Sequence, residues 1–108
     1  MEGANFIKSG TLTSISEQQL VDCSTSFGNQ GCNGGLMDQA FQYAEKTQME
    51  TEEHYPYTGR DGQCNVSQQD VALLTGYQDV KPKSPSALAA ALQNGPVSVA
   101  VDGASLGF

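Results

Sequence analysis

The sequence contains no tryptophan, a single histidine, and five basic residues against twelve acidic ones. A net charge of −7 provides no cationic footprint for a nucleic-acid backbone or an anionic membrane surface, so neither is expected as a partner. No apolar run approaches the roughly 18 residues that a membrane span requires. Residues 1–12 lack the basic start and apolar stretch of a secretory signal. Metal ligands are also scarce. Cys23, Cys32 and Cys64 are far apart, no Cys-x-x-Cys occurs, and His54 stands beside Tyr55-Pro56 with no ligand at metal spacing. No metal and no cofactor is expected. Large aliphatics are thin as well: Leu, Ile, Val and Phe make up 21 of 108 residues, or 19%. With the charge, that composition marks a chain short of core-forming side chains. The odd cysteine count leaves one thiol over if the other two pair.

What is present has clear punctuation. Residues 1–8 read as the last turns of a helix, with Ser9-Gly10 as its stop. Ser16-Glu17-Gln18-Gln19 fits a capping box, Ser16 accepting from the backbone three residues on and Gln19 reaching back. The helix it opens carries Leu20, Val21 and Cys23. A glycine-rich loop follows over 27–35 and holds Cys32. Met37, Ala40, Phe41 and Ala44 then fall at helical spacing as one apolar stripe, the pattern of a core face. Tyr55-Pro56-Tyr57-Thr58-Gly59 and Asp61-Gly62 are turn chemistry. Residues 71–80 read as extended chain. Ser84-Pro85 is an N-cap followed by proline at the first helical position, and the alanine-rich helix to Gln93 points Leu88, Ala91 and Leu92 inward until Gly95-Pro96 ends it. Val97, Val99 and Val101 alternate with Ser98, Ala100 and Asp102, the period of a strand whose sheet must lie elsewhere.

Four stretches, taken in order, carry a family resemblance: Ser16-Glu17-Gln18-Gln19-Leu20-Val21-Asp22-Cys23, Gly31-Cys32-Asn33-Gly34-Gly35-Leu36-Met37-Asp38, Tyr55-Pro56-Tyr57, and Gly95-Pro96-Val97-Ser98-Val99-Ala100-Val101-Asp102. Together they resemble the papain family of cysteine proteases, and within it the cathepsin L-like branch. The resemblance covers essentially the whole chain. It implies an α+β, papain-like fold, with residues 1–78 as part of the helical left domain. Residues 79–108 then begin the β-barrel right domain with its first helix and strand. In that family the nucleophilic cysteine lies on a segment upstream of one similar to residues 1–4, and the catalytic histidine and asparagine lie well downstream of position 108. The absence of tryptophan agrees, because the family's nucleophile segment contains one. The resemblance therefore assigns no catalytic residue to this chain. It implies part of an endopeptidase that works by thiolate attack, acyl-enzyme formation and hydrolysis, and that is inactive in the form of this chain alone.

His54 invites a thiol–imidazole dyad, yet Glu53-His54-Tyr55-Pro56-Tyr57 reads as a surface turn, and such chemistry needs hydrogen-bond reach. By the resemblance, Cys23 bridges Cys64 across 40 intervening residues, a closure that removes about 4 kcal/mol of unfolded-state freedom in the chain-entropy model. Cys32 is then a free thiol or enters an intermolecular bond. From the residues alone, Gly34-Gly35 is a turn and Met37 a core position. The resemblance implies instead that Gly35 pairs with the backbone of a peptide or protein substrate. Gly34 borders the third subsite, Leu36 and Met37 line the second, and Ala100 forms its far wall. Asn65-Val66-Ser67 is a glycosylation sequon beside Cys64 and fits a lysosomal, vacuolar or secreted route. The alternative is a non-catalytic relative that binds peptides or self-associates, as a homodimer or domain-swapped assembly, through residues 97–101.

Overall fold

The computed structural model describes residues 1–67, 71 and 74–107. Helix α1, Glu2–Ser9, stops where expected: Gly10 takes φ 78° and returns its N–H to the Phe6 carbonyl at 2.7 Å. Helix α2, Glu17–Cys23, opens with Ser16 Oγ accepting the Gln19 N–H at 3.0 Å. The other half of the expected capping box is not made. The Ser16 N–H donates to the Glu50 carbonyl at 3.0 Å, so Gln19 is released to turn into the core. Two short 3-10 turns, Thr25–Phe27 and Gly31–Asn33, then lead to helix α3, Met37–Lys46. Helix α4, Pro85–Leu92, is capped by Ser84 Oγ accepting from Ala87 N–H at 3.3 Å, with proline in its first turn.

The apolar core is small: Ile15, Cys23, Tyr43, Ala44 and Met49, with Leu20, Phe27 and Leu74 among those packed against it. The largest fully buried side chains are polar, namely Gln18, Gln19, Glu50, Ser16 and Ser24. Hydrogen bonding makes this tolerable. Gln19 Nε2 donates to the Tyr43 hydroxyl at 3.0 Å and to the Gln48 carbonyl at 3.1 Å, and its Oε1 accepts the Glu50 N–H at 2.7 Å. Gln18 Nε2 donates to Asp22 Oδ1 at 2.8 Å and the Arg60 carbonyl at 2.7 Å, while its Oε1 accepts from Thr58 N–H at 2.9 Å. The thin aliphatic count thus corresponds to a centre stitched by amides.

Three expectations are corrected. On α3 only Ala44 of the predicted stripe is buried; Met37 is 40% exposed, and Tyr43 takes the core position instead. Its ring stands edge-on to Phe27 at 5.7 Å and its hydroxyl is satisfied by Gln19, which lets a polar tip go inside. On α4, Leu88 and Ala91 are half-buried, but Leu92 is 53% exposed and no residue of the helix is buried. Over 97–101 the alternation is not expressed as a strand, because a strand exists only through a neighbour's backbone. Among the described residues the β-pairing consists of two isolated antiparallel bridges, Ile15 with Thr51 and Met49 with Val71.

Of the extended reading over 71–80, residues 72 and 73 lie outside the described residues. Residues 74–80 run along α3. The Leu74 N–H reaches the Ala44 carbonyl at 3.4 Å, Tyr77 stacks on Phe41 with centroids 5.7 Å apart, and Gln42 Nε2 donates to the Tyr77 hydroxyl at 2.9 Å. Among the described residues no helix is long and apolar enough to cross a membrane.

Candidate functional site

The end of the loop between α2 and α3, with the first residue of α3, presents Gly34, Gly35, Leu36 and Met37 at the surface, all four exposed. Gly34 has φ 109°, a backbone geometry that side chains rarely adopt, so this glycine serves the turn itself. Its carbonyl accepts the Gln30 N–H at 2.9 Å. The Leu36 N–H donates to Asn29 Oδ1 at 2.9 Å. Between these two fixed points, the Gly35 N–H and carbonyl make no hydrogen bond to any described residue. One backbone donor and one acceptor therefore face outward on a segment tied down on both sides. This is the arrangement an extended peptide needs in order to add as a strand.

Beside this edge lies an open cavity of about 360 Å³ lined by Met1, Leu20, Met37, Ala40, Phe41 and Ser98, among others. Met37 reaches it, but Leu36 and Ala100 do not line it. Ser98, two residues before Ala100, lines it, and both Ser98 and Ala100 are exposed. The structure therefore brings Gly34, Gly35, Leu36 and Met37 together and leaves Ala100 apart from the cavity.

Cys23 and Cys64 are joined by a disulfide with a Cα–Cα distance of 4.8 Å. Cys32 is an exposed free thiol. Its backbone N–H donates to Asp61 Oδ1 at 2.7 Å. Local desolvation, then the hydrogen bond and charge of Asp61, with the charge of Asp22 behind, push the thiol up from its ordinary value. This is the reverse of what a nucleophile needs, and His54 is not among the groups acting on it. His54 is exposed in the turn at 52–55. That turn is anchored by Tyr55, whose carbonyl accepts from Ser16 Oγ at 2.6 Å and whose hydroxyl donates to Asp22 Oδ2 at 2.8 Å. Asn65 is exposed, while the Ser67 N–H and hydroxyl both reach Glu50 Oε1, at 2.7 and 3.2 Å.

The two residues that hold the edge, Asn29 and Gln30, escaped the sequence reading. The signal was available: an Asx residue just before a glycine-rich turn is a common source of side-chain bonds to nearby backbone.

A family model described as papain family cysteine protease matches residues 1–108. The chain belongs to the papain family of cysteine proteases. Among similar members of the papain family, a thiol protease of a Hemerocallis species is 47% identical over 110 residues, covering 100% of this chain and 30% of that protein. Procathepsin L of Rattus norvegicus is 49% identical over 104 residues, covering 94% of this chain and 31% of that protein. The chain thus spans less than a third of the length of these relatives. Solved structures agree. Procathepsin L 3 of the Tenebrio molitor larval midgut superposes with a TM-score of 0.77 at 42% identity, over 82% of this chain and 29% of that one. The ragweed pollen cysteine protease Amb a 11, in its proform, gives 0.82 at 41% identity, over 87% and 29%.

Proposed function

We propose that this chain is the part of a papain-type cysteine endopeptidase that holds the backbone of a bound peptide, and that it has no proteolytic activity by itself. The observation that carries the first half is Gly35. Its donor and acceptor are open, and its two neighbours are fixed by Gln30 and Asn29. Met37 and the adjoining apolar cavity supply a place for a bulky side chain of the peptide. The second half rests on the thiols. Two are consumed in the Cys23–Cys64 disulfide, and the third sits beside carboxylates that keep it protonated. In the complete protease the reaction would be thiolate attack on a peptide carbonyl, an acyl-enzyme, and hydrolysis with a histidine moving the proton.

The test uses the 108-residue chain labelled with ¹⁵N and titrated with the blocked tripeptide acetyl-Ala-Phe-Ala-amide. A saturable shift of the Gly35 amide, with Ala44 unmoved, is expected. A Gly35 amide that ignores the peptide sinks the reading. Turnover of a fluorogenic dipeptide that an active-site thiol reagent abolishes would refute the inactivity.

A lysosomal, vacuolar or secreted setting fits the disulfide, which persists in oxidising compartments. A KDEL-tailed cysteine endopeptidase of Arabidopsis thaliana is among the similar proteins, at 48% identity. A second reading, self-association, is favoured by residues 97–101, where Val99 and Val101 are 58% and 68% exposed on chain without a ladder. A monomer by light scattering at high concentration excludes it.

A further inference from the structure

We infer that Asn29 is a positioning residue for the peptide-binding edge, an inference that rests on the reading of Gly35 given above. A directed chain of hydrogen bonds runs from the end of α2 to the edge. The Ser24 hydroxyl donates to the Leu20 carbonyl at 2.6 Å, Asn29 Nδ2 donates to Ser24 Oγ at 2.8 Å, and Asn29 Oδ1 accepts the Leu36 N–H at 2.9 Å. Ser24 is completely buried, so the base of this relay is fixed by the core. The Asn29 amide donates backward to Ser24 and accepts forward from Leu36, and the acceptor is the part that holds the edge.

The same contact explains Gly35. A Cβ there would stand 2.6 Å from Asn29 Cγ and closer still to its Oδ1. Glycine at 35 is thus demanded by the Asn29 side chain lying under the edge, whereas glycine at 34 is demanded by its φ of 109°. Asn29 touches no peptide. It holds the Leu36 N–H inward, and thereby leaves the Gly35 donor and acceptor as the outward-facing pair.

The experiment measures amide hydrogen exchange on the full chain and on Asn29→Ala and Asn29→Asp. In the unsubstituted protein the Leu36 amide is expected to be protected at least about tenfold over a free chain. Asn29→Ala removes that protection while the Thr47 amide, bonded to the Tyr43 carbonyl, keeps its own. Asn29→Asp retains an acceptor and restores it, which a merely structural role would not require. The dissociation constant for acetyl-Ala-Phe-Ala-amide, read at Gly35, weakens about fivefold in Asn29→Ala, the worth of one hydrogen bond. An unprotected Leu36 amide in the unsubstituted chain, or one indifferent to Asn29→Ala, overturns the inference. Should Asn29→Ala unfold, Asn29→Asp decides: protection kept supports the clamp and protection lost overturns it. If Gly35 ignores the peptide while Leu36 protection depends on Asn29, the peptide reading fails and the clamp on Leu36 stands.

Discussion

The Gln19 side-chain carbonyl accepts the Glu50 backbone N–H at 2.7 Å, tying the first turn of α2 to a segment 31 residues further along. Gln19 is fully buried, and its Nε2 also serves the Tyr43 hydroxyl and the Gln48 carbonyl. Gln19→Ala would leave these groups buried without that partner. Each orphaned group costs about 1–3 kcal/mol, and the loss is expected to be about 3 kcal/mol after relaxation. Urea unfolding checks it: a midpoint within error of the unsubstituted chain would show that the amide network contributes nothing.

Cys32 and Asp61 set the thiol chemistry. Titration of the denatured, unreduced chain is expected to find one thiol, and three after reduction, since Cys23 and Cys64 are joined. In the folded chain, Asp61→Asn removes a negative charge beside Cys32 while keeping an oxygen to accept its N–H. The thiol falls back toward its ordinary value, the thiolate fraction at pH 8 rises, and iodoacetamide reacts several-fold faster. An unchanged rate would mean that Asp61 does not hold the proton on.

The division between what the sequence made legible and what it hid follows the range of the interactions. The Gly10 stop, the Ser16 cap and the Ser84-Pro85 start are local devices, each set within a few residues, and each forms as its sequence implies. The exposed Gly34–Met37 loop was similarly legible, through glycine content and the family motif. The polar core was not. Ser16-Glu17-Gln18-Gln19 read as a capping box with Gln19 reaching back, and only partners 24 to 42 residues away turn Gln18 and Gln19 inward. Tyr43 against Met37 is the same lesson. Helical spacing sets Tyr43 about 120° round α3 from Met37, off the predicted stripe, and its burial belongs to Gln19 and Phe27. The strand pattern at 97–101 was legible as alternation, whereas a ladder depends on chain that must come alongside.

Asp38, in the first turn of α3, lies against Asp79. Desolvation and the charge and hydrogen bonding of Asp79 raise the Asp38 carboxyl above the usual range. A carboxyl raised in the folded state binds its proton more tightly than in the unfolded chain. Its favourable contribution is complete below the unfolded value and is lost as pH rises through the folded one. At neutral pH the two carboxylates therefore repel and oppose folding, whereas in acid the bound proton removes that repulsion. Asp79→Asn is expected to raise the melting temperature at pH 7 and to leave it unchanged near pH 3. An equal rise at both values would trace the effect to packing instead of charge.

The sequon at Asn65 is exposed at its first position and engaged at its third. Val66 packs against the core, and the Ser67 N–H and hydroxyl are bound to Oε1 of the buried Glu50. A transferase must take the tripeptide as free chain with its hydroxyl available, so folding and closure of Cys23 with Cys64, next to Asn65, withdraw the acceptor. Modification is expected only before that closure. Incubated with an oligosaccharyltransferase and lipid-linked glycan, the reduced, unfolded chain should gain one peptide-N-glycosidase-sensitive mass increment, and Asn65→Gln should gain none. The oxidised, folded chain should be modified at least about tenfold more slowly, because its sequon is released only by local opening. Equal rates in the two states would mean that the Ser67–Glu50 contact does not hold the segment in solution.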